Sequence, residues 1–184
     1  MTDVIVVDYG AGNTRSVRAA LTHLGRSSEV SSDPAKIATA PYVVLPGVGS
    51  ARSAMVHLNE TSAAAALRDR FADHGPTLGI CLGMQLALEA SEEDGGVEGL
   101  GLLSGEVVRL TTGRVPRLGW AIVEPWGDAF YFAHSYAAQS PDSIATSDGI
   151  TVAVRRGPFL GVQFHPEKSG DAGLEFLEKC LSLA

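Results

Sequence analysis

Positive charge is in short supply in this chain of 184 residues: 14 lysines and arginines face 21 aspartates and glutamates, a formal net charge of −7. Without a basic stripe, nucleic acid and anionic membrane surfaces are poor partners. Cysteine is scarce as well. The two present are too few for a disulfide framework. No apolar run reaches membrane-spanning length. The opening "MTDVIVVDYG" has Asp3 where a signal peptide would carry positive charge, so it reads as a first β-strand. Repeats, low-complexity segments and long linkers are missing too, and 45% of the residues are apolar. These features predict a soluble cytoplasmic protein with one domain over residues 1–184. No His/Cys/Asp/Glu spacing suggests a metal site, and no cofactor is expected.

Along the first half, strand and helix signals alternate. "VIVVDYG" and "YVVLPG" are unbroken apolar runs, as in strands buried on both faces. Asn13 stands as an N-cap before "TRSVRAALTHL", with Gly25 as its stop. "SAAAALRDRFADHG" reads as a helix, "TLGI" as a further strand, and Cys81 opens the next helix. From about Gly95, "GEVVRLTTG", "WAIVEP", "AFYFAHSY", "SIATSDG" and "ITVAVRRG" are short strands separated by turns. "FLGVQFHPEKSG" returns to a buried strand before a last helix. The pattern predicts an α/β fold: an open, mostly parallel sheet with helices on both faces, plus a short antiparallel strand region.

The two cysteines sit in different settings. Cys180 lies beside Leu174, Leu177 and Leu181 at helical spacing and reads as a structural thiol. Cys81 lies in "GICLGMQ", a strand-turn-helix with the pattern G-x-C-x-G. That is a nucleophile elbow with sulfur in place of oxygen. Small residues at 79 and 83 let strand and helix approach, and a helix N-terminus favours thiolate. The Leu82 N–H could then face a developing oxyanion. On the motif alone, a buried structural cysteine in a glycine-rich turn also fits.

A thiolate nucleophile needs a base. His165 falls after the strand-like "GVQF", and strand C-terminal ends are where sites assemble in open parallel sheets. Glu167, two residues on, can fix the tautomer of the ring. Cys81 as nucleophile, His165 as base then acid, and Glu167 as orienter is the reading that follows. His23, His57 and His74 read as solvated; His134, in "YFAHSY", reads as a structural strand residue. "DYGAGN" carries Gly10 and Gly12, but Arg15 stands where a dinucleotide fingerprint needs a third glycine. "LPGVGS" puts Gly47 and Gly49 after a strand, where backbone N–H groups can face an anion.

"LPGVG", "GICLGMQ" and "GVQFHPEKSG", in that order and spacing, resemble the class I (triad) glutamine amidotransferases nearly end to end. "DYGAGNTRSV", "YFAHSY" and "HPEKSG" narrow the resemblance to the glutaminase subunits of imidazole glycerol phosphate synthases. The resemblance implies hydrolysis of glutamine to glutamate and ammonia. Gln85, Glu93, Gly47, Ser135 and Tyr136 would bind glutamine. Val48, Gly49 and Leu82 would make the oxyanion hole, with a "PGVG" peptide that reorients when the partner's ligand binds. It also implies a heterodimer with a cyclase (β/α)₈ barrel that makes imidazole glycerol phosphate and AICAR for histidine biosynthesis, with Asn13, Trp120 and Lys168 on the partner side. One segment departs: the family's Pro-His-Met-Gly-Trp-Asn is here Pro116-Arg117-Leu118-Gly119-Trp120-Ala121. A glutaminase for pyridoxal phosphate or p-aminobenzoate/anthranilate synthesis, and a non-catalytic regulatory module on the same fold, are the alternatives.

Overall fold

The structure is a computed structural model and describes residues 2–10 and 13–182. The first half runs β1 (Val4–Val7), α1 (Thr14–His23), β2 (Ser28–Ser31), α2 (Pro34–Thr39), β3 (Tyr42–Leu45), α3 (Ala51–Glu60), α4 (Ala63–Ala72), β4 (Thr77–Ile80) and α5 (Leu82–Leu86). Short strands follow: β5 (Ala90–Ser91), β6 (Val97–Glu98), β7 (Glu106–Arg109), β8 (Arg117–Ile122), β9 (Ala129–His134), β10 (Tyr136–Gln139), β11 (Ser143–Ser147) and β12 (Ile150–Arg156). Strand β13 (Phe159–Val162) and helix α6 (Gly170–Ser182) complete the order.

Strands β2, β1, β3, β4 and β13 lie side by side, all parallel. The sheet continues through β12, β10 and β7 in antiparallel pairs and ends in the short β5 and β6. Strand β1 shows why this half reads as unbroken apolar runs. Val4 and Val6 join the core of Val17 and Leu21 in α1 and Leu177 in α6. Ile5 and Val7 join the opposite core, with Ala54 and Leu58 of α3 and Leu67 of α4. Alternate side chains point to opposite faces, so a strand covered on both needs apolar residues throughout. Each such side chain stabilises the fold by roughly 1.5–3 kcal/mol. The buried Arg70 is tolerated because its guanidinium donates to the carbonyls of Ala40 (2.7 Å) and Pro76 (2.8 Å), which replace water.

Several elements differ from the pattern reading. Strand β2 and helices α2 and α3 are additional; β2 is a half-exposed edge, "SEVS", with no apolar signature. "AFYFAHSY" is two strands. Strand β9 pairs with β8 in a separate ribbon, whereas β10 belongs to the main sheet. The break at Ser135 lets Phe130 and Phe132 pack on Phe164 while Ala137 and Ala138 fit the sheet interior. Strand β13 stops at Val162, earlier than expected. The Gln163 N–H still reaches Val152 O (2.8 Å), but the His165 N–H goes to Tyr131 O (2.9 Å), so the chain has changed neighbours. Asn13 precedes α1 without a side-chain cap. Gly12 lies outside the described residues. No helix among the described residues is long and apolar enough to cross a membrane.

Candidate active site

The C-terminal ends of β3, β4 and β13 are adjacent, so the loops that follow them converge. Cys81 follows β4 with φ 52° and ψ −109°, a conformation unfavourable for a residue with a Cβ. It is held there from both sides. Its N–H donates to Val162 O at 2.7 Å, and its carbonyl accepts from Met84 and Gln85, starting α5. The sharp turn needs close approach: a Cβ on Gly83 would collide with the Leu45 carbonyl, and one on Gly79 with Phe159 and the Gly83 carbonyl. The elbow expected from G-x-C-x-G is therefore present in the backbone.

His165 lines the same cavity as Cys81, and its ring interacts with the sulfur. Its Nδ1 donates to Glu167 Oε1 at 2.8 Å, which leaves Nε2 for the sulfur. Glu167 sits in a 3₁₀ turn over Pro166–Lys168, and the turn brings the carboxylate to the ring. Both side chains are almost wholly buried. Burial is the largest influence on His165 and opposes its charge. The hydrogen bonds to Cys81 and Glu167, and their charges, outweigh it and lift the imidazole to about 9.

A cavity of about 280 Å³ opens over this group. Cys81, His165, Val48, Gly49 and Leu82 line it. Gln85, Glu93, Ser135 and Tyr136 line it as well, and Lys168 does so from an exposed position. Glu93 accepts from the Ala51 N–H at the start of α3 (3.0 Å). Burial raises its carboxyl, the Ala51 N–H opposes this, and Asp94 adds to it. Gly47 does not line the cavity; it packs directly behind, where a Cβ would strike Gly83 and Leu82. Trp120 lies on the outer face of β8, 59% exposed. His23, His57 and His74 are exposed, as expected. No group of three or more His, Cys, Asp or Glu among the described residues could hold a metal ion.

Four residues come into the site that sequence reasoning did not place there. Asn13 donates its side-chain amide to Glu167 Oε1 (2.7 Å), across 154 positions of sequence. The Tyr9 hydroxyl donates to Pro46 O (2.6 Å) and pins the start of the "PGVG" loop. His134 is buried on the cavity wall, its Nδ1 against Tyr136 O (2.8 Å). Burial first, then the nearby Arg117 and His165 charges, push its imidazole down to about 4 against the Tyr136 bond. Gln163, wholly buried, donates to Cys81 Sγ at 3.5 Å. In the sequence Asn13 reads as a helix start and, by resemblance, a partner-side residue, His134 as a strand residue, and Gln163 shows as a polar residue inside the apolar run "GVQF".

Comparisons with known proteins give the family. A family model described as glutamine amidotransferase class-I matches residues 5–183. The imidazole glycerol phosphate synthase subunit HisH of Moorella thermoacetica is 44% identical, over 97% of this chain and 93% of its own. The chloroplastic imidazole glycerol phosphate synthase hisHF of Arabidopsis thaliana is 41% identical over 97% of this chain, which spans 34% of that protein. A crystal structure of a glutamine amidotransferase shares the fold, with a TM-score of 0.79 at 21% identity and coverage of 97% and 98%. The chain thus belongs to the class-I glutamine amidotransferase family, and within it to the HisH glutaminase subunits of imidazole glycerol phosphate synthase.

Proposed function

We propose that Cys81, His165 and Glu167 form the triad with which this chain hydrolyses glutamine. The observation that carries this is the buried Glu167–His165 pair facing a cysteine held at a strained elbow. An imidazole lifted to about 9 is protonated at neutral pH and can give its proton to the leaving group. The Cys81 sulfur adds to the carboxamide carbon, giving a tetrahedral oxyanion that the Leu82 N–H and the Val48–Gly49 backbone stabilise. When this collapses, the C–N bond breaks and His165 gives its proton to the departing ammonia. Neutral His165 next takes a proton from water, whose oxygen attacks the thioester, and glutamate leaves as the thiol is restored. Gln85, Glu93, Ser135 and Tyr136 hold the amino-acid end of glutamine, and Gly47 lets the loop pack closely enough to present Val48. No cofactor or metal enters these steps.

Ammonia released into water would be protonated and dispersed, so an acceptor must cover the site. A cyclase subunit with a (β/α)₈ barrel, docked as a heterodimer, fits this role, and the longer hisHF relative supports a second moiety beside this domain. On β8, Leu118 (60% exposed), Trp120 (59%) and Ile122 (59%) form an apolar outer ridge, and Leu118 also lines the cavity. Such a ridge suits a docking anchor. Lys168 belongs to this partner side. Asn13 serves it from behind, through Glu167. We place the reaction in the cytoplasm, where a reduced thiol persists.

The test is glutamate release by the purified chain, alone and with the cyclase barrel and its nucleotide ligand. The expected outcome is weak activity alone and strong stimulation in the complex. Equal turnover in both settings would contradict the partner assignment, and a different synthase subunit would then be sought.

A further inference from the structure

The buried amides of Gln85 and Gln163 form a chain whose direction is set at one end. The Tyr136 carbonyl can only accept, so the Gln85 amide turns its Nε2 towards it, at 3.0 Å. The same Nε2 donates to Gln163 Oε1 at 2.9 Å. With its oxygen so engaged, Gln163 has only its Nε2–H groups left for the other end, and there it meets Cys81 Sγ at 3.5 Å. Gln163 is inaccessible to water and Gln85 nearly so, which keeps the two amides from turning over.

From this arrangement we infer that Gln163 is a positioning residue for the nucleophile. A backbone carbonyl in β10 fixes the polarity of two glutamine amides so that an N–H donor, and never a carbonyl oxygen, faces the sulfur. A donor favours the thiolate over the thiol and holds it at one place relative to the cavity. His165 supplies a mobile proton to the sulfur; Gln163 supplies one that stays. The chain also ties the sulfur to Gln85, a further lining residue of the cavity, whose Oε1 carries none of these bonds.

This inference deepens the triad assignment and rests on Cys81 being the nucleophile. Alkylation of Cys81 by iodoacetamide, followed by peptide mapping against pH without glutamine, tests it independently of turnover. Gln163→Met fills the same space without a donor. Its alkylation rate at pH 7 is expected to fall about tenfold, with the midpoint of the profile about one unit higher and the high-pH plateau within about twofold of wild type. An unmoved midpoint, or an equal loss at every pH, would overturn the proposal. Should the variant not fold, the wild-type chain supplies the readout. The side-chain amide protons of Gln163, observed by NMR, must shift with the same midpoint as alkylation. Amide protons that ignore the ionisation of the sulfur would likewise overturn it. A wild-type chain without glutaminase activity, together with an alkylation midpoint that does shift in Gln163→Met, would count against the triad and not against Gln163.

Discussion

Cys81 and Cys180 are buried to the same degree, 7% exposed each, and neither is in a disulfide. Both also border the same apolar core, but their backbone and polar surroundings differ. Cys180 lies in the regular helix α6, against the core that holds Leu177 and Val162. Burial pushes its thiol up to about 12, and the charge of Arg155 opposes this only in part. Cys81 lies where the chain bends under strain, with the Gln163 amide and the His165 ring on its sulfur and a cavity above it. Burial alone therefore says little about a thiol. What distinguishes the two is a backbone that no ordinary helix supplies and partners brought from β13 and beyond.

The largest expected difference between them is in catalysis. Cys81→Ala should lower glutamate release at least about 10³-fold, as removal of a triad nucleophile does elsewhere. Cys180→Ala should leave turnover within about twofold and lower stability by about 1 kcal/mol, read from the urea midpoint. Reversed outcomes would break the comparison.

The next effect concerns the support behind Cys81. Asn13→Ala removes one of the two donors on Glu167 Oε1 and leaves a buried carboxylate with His165 alone. Turnover should fall about 10-fold to 100-fold, the range typical of a partner one step behind the reacting groups. Activity indistinguishable from wild type would remove Asn13 from the site.

A smaller effect appears in stability against pH. His165 is held at about 9 in the folded chain, above its ordinary 6.5, so the native state binds this proton more tightly than the unfolded one. That contribution is complete below about pH 6.5 and is lost as pH rises through about 9. Urea midpoints should decline over this window, and the decline should flatten in His165→Gln. Cys180→Ala should keep the wild-type slope below about pH 8, where an unfolded thiol is still protonated.

Much of the fold was legible from local sequence. Strands β1, β3 and β4 are short apolar runs because both faces are covered, and G-x-C-x-G marks the elbow because no Cβ fits at 79 or 83. Cys81, His165 and Glu167 could be chosen because each stands in a local pattern with a mechanical meaning. Asn13 was legible as a helix start and, by resemblance, as a partner-side residue, but not as a donor to Glu167, which lies 154 residues away. The polar edge strand β2 and the break at Ser135 depend on neighbours that periodicity does not reveal. Gln163 showed as a polar residue in an apolar run, but the direction of its amide follows from the Tyr136 carbonyl, known only once the fold is formed.

The most direct test of the account uses a glutamine-analogue electrophile on the chain bound to its cyclase partner, with mass mapping of the labelled peptide. The account predicts one modification, on Cys81, prevented by excess glutamine. Labelling at Cys180, or none at Cys81 with the partner bound, would contradict the assignment of Cys81 as the nucleophile.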